Sequence, residues 1–145
     1  PGERDRDAAL VNRSASYTVP GPPHGKGRRH PEQDLQRAVA QVLDAHRVLW
    51  CHVPNGGARS KVEAAILRGL GVKAGVPDIL IFNPIGPEFE FVGLALELKA
   101  PKGRTTAAQH DWHSALRLRH WRVEVVDNID AALRLFLECG YLRRR

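Results

Sequence analysis

Residues 74–82, Ala74-Gly75-Val76-Pro77-Asp78-Ile79-Leu80-Ile81-Phe82, set an aspartate at the head of an apolar run. The run 78–82 has the length and the branched and aromatic content of a buried strand. A carboxylate against such a wall costs several kcal/mol if it stays charged and unpaired, so a partner for Asp78 is expected nearby.

The partner is sought in the next apolar segment, "FEFVGLALELKA" at 89–100, which follows the turn "NPIGPE" and reads as a second strand. Side chains alternate along a strand, so Leu94, Leu96 and Leu98 share one face while Ala95, Glu97 and Lys99 share the other. If the two strands pair, Asp78 falls near Glu97 with the Lys99 ammonium beside them. Two carboxylates that close repel unless a cation neutralises them. A hard divalent ion such as Mg²⁺ does so with few protein oxygens, keeps waters and leaves room for a substrate phosphate. An ion pair between Lys99 and one of the acids at a sheet end is the plainer reading of a Glu-x-Lys tripeptide.

Farther out, residues 31–49, "PEQDLQRAVAQVLDAHRVL", carry Pro at a first helical position and acids in the first turn. Leu35, Val39, Val42 and Leu43 form one apolar helical face. The helix feeds "LWCHV" at 49–53, a short strand, and "PNGG" turns the chain. Residues 59–70 read as a second helix closed by Gly71. Residues 105–120 have helical period, 121–126 ("WRVEVV") are strand-like, and 128–140 form a last helix with Asn128 or Asp127 at its cap. The order is αβαββαβα, which describes an α/β domain with a central mixed sheet flanked by helices.

At 145 residues the chain fits one domain. Residues 31–145 hold all the periodic segments, and residues 1–30, with "VPGPPHGKGRRH", read as a flexible basic Pro/Gly-rich arm whose Lys26, Arg28 and Arg29 can meet phosphate. Lys and Arg number 22 against 16 Asp and Glu, a formal charge of +6. That balance favours a polyanion such as nucleic acid as partner, though a basic solvated surface has the same charge. No apolar run is long enough to span a bilayer and no signal segment opens the chain, so an intracellular, cytoplasmic location without membrane partners is expected. The two cysteines are expected reduced, with Cys51 tucked among apolar neighbours.

Pro77-Asp78 followed by Glu97-Leu98-Lys99 resembles the signature of the PD-(D/E)xK nuclease superfamily. Glu32, "HVPNGG" at 52–57, "GVKAGVPDIL" at 71–80, "LELKAPKGR" at 96–104 and "QHDW" at 109–112 are similar to its VRR-NUC branch, in the compact stand-alone form of phages and bacteria. The resemblance covers residues 32 to about 138 and implies a restriction-endonuclease-like core and a Mg²⁺- or Mn²⁺-dependent endodeoxyribonuclease.

Under that resemblance Asp78 and Glu97 are metal ligands, with the main-chain carbonyl of Leu98 as a third. Glu32 reaches the metal from the first helix, although an acid in a first turn also suits the helix dipole. Lys99 orients or deprotonates the attacking water, and its charge suits the phosphate as negative charge develops. Gln109 edges the site among the catalytic residues. Lys102 and Arg104 after the catalytic strand, and Arg59 and Lys61 beside the glycine turn, are expected to bind the DNA backbone without reading sequence. His52 and Asn55 match the branch's "HxPN" pattern. Trp112 and Trp121 are expected in the core, and His110 and His113 on a solvated helix face, since no third ligand makes them a zinc site.

The substrate implied is branched DNA, four-way (Holliday) junctions above all, cut by a homodimer that acts in DNA repair. The alternatives are a non-catalytic nucleic-acid-binding module on the same fold, or a flap-, fork- or restriction-type nuclease.

Overall fold

A computed structural model describes residues 30–54 and 60–142. Its elements are α1 (Pro31–Ala45), β1 (Trp50–His52), α2 (Lys61–Gly69), β2 (Ile79–Ile81), a 3₁₀ turn (Pro87–Phe89), β3 (Gly93–Leu98), α3 (Ala107–Arg117), β4 (Trp121–Val126) and α4 (Ile129–Glu138). This is the expected order. The strands form one mixed sheet in the order β1-β2-β3-β4, antiparallel through the first three and parallel between β3 and β4. A parallel pair needs a crossover connection, and α3 supplies it.

β3 is the central element, buried along its whole length. Leu94, Leu96 and Leu98 join Leu35, Val39 and Leu43 of α1 and Ala132, Leu135 and Phe136 of α4 in one apolar core. Burial at i, i+4 and i+8 of α1 is the apolar stripe of a helix laid on a sheet. Glu97 points to the opposite face, where His113 of α3 approaches it.

Local signals fix the ends of the elements that matter. Pro31 opens α1. The Ser60 hydroxyl accepts the Glu63 N–H at the start of α2, and Gly71 closes it with φ +95°. Thr106 and Gln109 form a reciprocal capping box on α3, and Asn128 caps α4.

Gly93 opens β3 where a side chain has no room. A Cβ there would stand 2.3 Å from the Ile81 carbonyl oxygen and 2.8 Å from the Trp121 ring. Gly93→Ala is therefore expected to cost about 1–3 kcal/mol of stability, as overpacking does, measured by chemical denaturation; an unchanged midpoint would contradict this packing.

Three expectations are corrected. Cys51 is exposed, because β1 lies at the sheet edge; the buried thiol is Cys139, whose pKa burial pushes up to about 11. Trp121 is only half-buried, stacked edge-on against Phe82, and Trp112 is half-buried beside an open depression that Leu116 and Arg119 also line. His113, assigned to a solvated face, is 2% exposed. Among the described residues no helix is long and apolar enough to cross a membrane. Residues 1–29, Asn55 and Arg59 lie outside the described residues.

Candidate active site

The register of β2 against β3 builds the site. Ile79 stands opposite Leu96, so Asp78, one residue before β2, falls beside Glu97, the next residue of β3. Asp78 is fixed by its own backbone and side chain. Its carbonyl accepts from the Val53 N–H and from His52 Nδ1, each at 2.8 Å, and its Oδ2 accepts the Leu98 N–H at 2.8 Å. Because a carbonyl only accepts, His52 carries its proton on Nδ1.

Glu97 is 1% exposed and its two oxygens have different surroundings. Oε1 accepts from Lys99 Nζ at 2.7 Å and from Gln109 Nε2. Oε2 faces His113 Nε2 at 3.8 Å. Gln109 works at both ends, since its Oε1 accepts the Thr106 N–H at 2.8 Å while its amide nitrogen reaches Glu97. The capping box that starts α3 thereby aims an amide at the carboxylate.

Glu32 comes from the first turn of α1 and crosses to the end of β3, where its Oε1 accepts the Ala100 N–H at 2.9 Å. Glu32, Asp78, Glu97, Lys99 and Gln109 together line a cleft of about 280 Å³. A second cleft of about 290 Å³ shares Glu32, Asp78 and Leu98 with the first and adds Gln33, Gln36 and His52.

Burial raises the pKa of both central acids. For Asp78 desolvation outweighs the Leu98 hydrogen bond and the Lys99 charge, and Glu32 adds repulsion. For Glu97 desolvation outweighs the Lys99 hydrogen bond, with Asp78 and Glu32 adding repulsion. Three acids thus share one field, and among the described residues the Lys99 ammonium is the one in contact with them. His113 is held below the ordinary histidine value, first by burial and then by Arg117, His110 and Lys99.

The donors fit a hard divalent cation. They are carboxylate oxygens of Glu32, Asp78 and Glu97 whose charges work against one another. Among the described residues no group of three or more His, Cys, Asp or Glu side chains is placed to hold a metal ion together. A cation held by a carboxylate pair and completed by water, as Mg²⁺ prefers, matches such a set.

The other residues singled out in the sequence sit farther out. Leu98 borders both clefts and also belongs to the buried core. Lys102 and Arg104 are exposed on the loop between β3 and α3, and Lys102 takes a left-handed φ of +67°. Lys61 is exposed at the start of α2 and lines neither cleft. The sequence reading missed Thr106, the cap that aims Gln109, and His113. Both were findable: Thr106 begins a T-x-x-Q capping box, and His113 lies one helical turn after Gln109, on the same face.

The sequence matches the family model of the VRR-NUC domain over residues 30–128. A solved structure described as a VRR_NUC domain protein superposes with a TM-score of 0.59 over 78% of this chain and 90% of that one. At 22% identity that likeness speaks for the fold alone, which is restriction-endonuclease-like. No curated protein matches the sequence. The family match takes in every residue of the cleft from Glu32 to Gln109, and the chain belongs to the VRR-NUC family of nucleases.

Proposed function

We propose that this nuclease is a Mg²⁺- or Mn²⁺-dependent DNA endonuclease that cuts branched DNA, four-way junctions in particular, as a homodimer. The observation that carries the reading is the pairing of Asp78 with Glu97 across β2 and β3, with Lys99 and Gln109 on one Glu97 oxygen. Asp78 and Glu97 would hold the cation together with the Leu98 carbonyl, with Glu32 reaching it through water. When bound, the cation supplies Lewis acidity to the scissile phosphate and makes water a better nucleophile at neutral pH.

Lys99 orients the attacking water and offsets negative charge as it gathers on the phosphate. Gln109 holds the Glu97 carboxylate in place, and its amide stands at the cleft edge where a phosphate oxygen passes. In-line attack breaks the P–O3′ bond, leaving a 5′-phosphate and a 3′-hydroxyl. Lys102, Arg104 and Lys61 contact the DNA backbone, and Arg59 and the basic arm of residues 1–30 add further phosphate contacts.

A resolvase must cut two strands symmetrically, and the described residues of one chain build one such acidic cleft. A twofold pair of identical subunits meets that need. The test is cleavage of labelled four-way junctions, flaps, forks and linear duplex in Mg²⁺ and in Mn²⁺, together with sedimentation of the free and junction-bound protein. Symmetric nicks on opposing strands of the junction by a dimer are expected, with affinity falling steeply as salt rises. A strictly monomeric profile would move the reading to a flap- or fork-directed nickase. Binding without cleavage in either metal would leave a nucleic-acid-binding module.

A further inference from the structure

Glu97 and His113 are the two buried polar or charged side chains among the described residues. They face each other. Glu97 Oε2 and His113 Nε2 are 3.8 Å apart, and neither atom has a hydrogen-bond partner among the described residues. Buried polar atoms left unpaired are rare and costly, and two that face each other at this distance point to a contact between them. Shortening to an ordinary N–H···O length of about 2.9 Å satisfies both atoms at once.

The surroundings give the contact a direction. Oε1 of Glu97 is already taken by Lys99 and Gln109, so Oε2 is the oxygen whose position remains to be fixed. A carboxylate oxygen accepts only, so its partner must donate, and the neutral imidazole donates from Nε2 when its proton sits there. His113 stands four residues after Gln109 on α3, so one helix reaches both oxygens of the same carboxylate. Ligating carboxylates elsewhere depend on hydrogen-bonded neighbours that set their orientation.

We propose that His113 is a positioning residue: its Nε2–H fixes the Glu97 carboxylate in the orientation in which it holds the cation. The inference rests on the reading of Glu97 as a metal ligand. His113 touches neither water nor DNA in this role, and it acts only through Glu97.

The test uses the full chain without DNA. Titration calorimetry with Mn²⁺ compares wild type, His113→Leu, which removes the donor, and His113→Gln, whose amide nitrogen can reach the same oxygen. Mn²⁺ affinity is expected to fall about tenfold or more in the leucine variant and to recover in the glutamine variant. Cleavage follows the same pattern through kcat rather than KM. Wild-type Mn²⁺ affinity in a folded His113→Leu protein would overturn the proposal and leave His113 as core packing. If the leucine variant does not fold, ring-¹⁵N NMR of the wild type decides: the Nε2–H tautomer supports the proposal and the Nδ1–H tautomer overturns it. Wild-type protein that binds no Mn²⁺ would sink the metal reading of the cleft, and the tautomer would still decide whether His113 donates to Glu97.

Discussion

Asp78→Asn and Glu97→Gln should each bring cleavage below about a thousandth of the wild-type rate while leaving the fold intact. Each substitution keeps the shape of the side chain and removes one unit of charge from the proposed cation site. Each should also weaken Mn²⁺ binding by calorimetry, since the ion loses one of two close carboxylates. Circular dichroism and a cooperative melt establish that the variants are folded. Near-wild-type cleavage by either variant at saturating metal would refute the site.

The same variants carry a second expectation in the metal-free protein. Burial raises the carboxyl pKa of both residues, so the fold binds the protonated forms better than the unfolded chain does. The stability these sites contribute is present below the unfolded carboxyl range of about 3.9–4.3 and is lost as pH rises through their higher folded values. Above that window the charged pair works against the fold. Asn at 78 or Gln at 97 cannot ionise, so each variant should gain stability relative to wild type as pH rises from 4 toward neutrality. A wild type that instead gains on the variants over that range would show the two carboxylates to be net stabilising as ions.

The core of this arrangement was legible because it rests on short-range rules. The two-residue period of a strand puts Glu97 and Lys99 on one face, and antiparallel pairing of β2 with β3 then brings Asp78 to Glu97. Helix signals such as Pro31, Gly71 and Asn128 stand in the sequence beside the elements they bound. Other features depended on what folds over what. Cys51 has apolar neighbours in sequence, yet β1 ends the sheet and leaves it exposed. His113 reads as one polar residue among several on α3, and only the docking of that helix over Glu97 buries it. Glu32 carried an ambiguous signal, an acid in a first turn, and its reach to the Ala100 N–H needs the packing of α1 on the sheet.

Lys99→Ala should lower kcat by about 10²–10⁴-fold while sparing both metal and DNA binding. A group that orients water or balances charge in the transition state contributes little to the ground-state complex, so its loss falls on kcat rather than KM. The geometry adds a reason for metal binding to survive. Lys99 Nζ donates to Glu97 Oε1 at 2.7 Å, and Gln109 reaches the same oxygen, so the carboxylate keeps a neutral donor after the ammonium is gone. Removing the ammonium also removes a cation that competes for the same charge, and Mn²⁺ affinity should hold or rise. Lys99→Arg keeps the charge but carries it on a longer planar fork that cannot take the ammonium's place between Glu97 and the cleft, so it should not restore the rate. A parallel loss of Mn²⁺ binding in Lys99→Ala, seen by calorimetry, would make Lys99 a structural partner of Glu97 and return the Glu-x-Lys tripeptide to an ion pair at a sheet end.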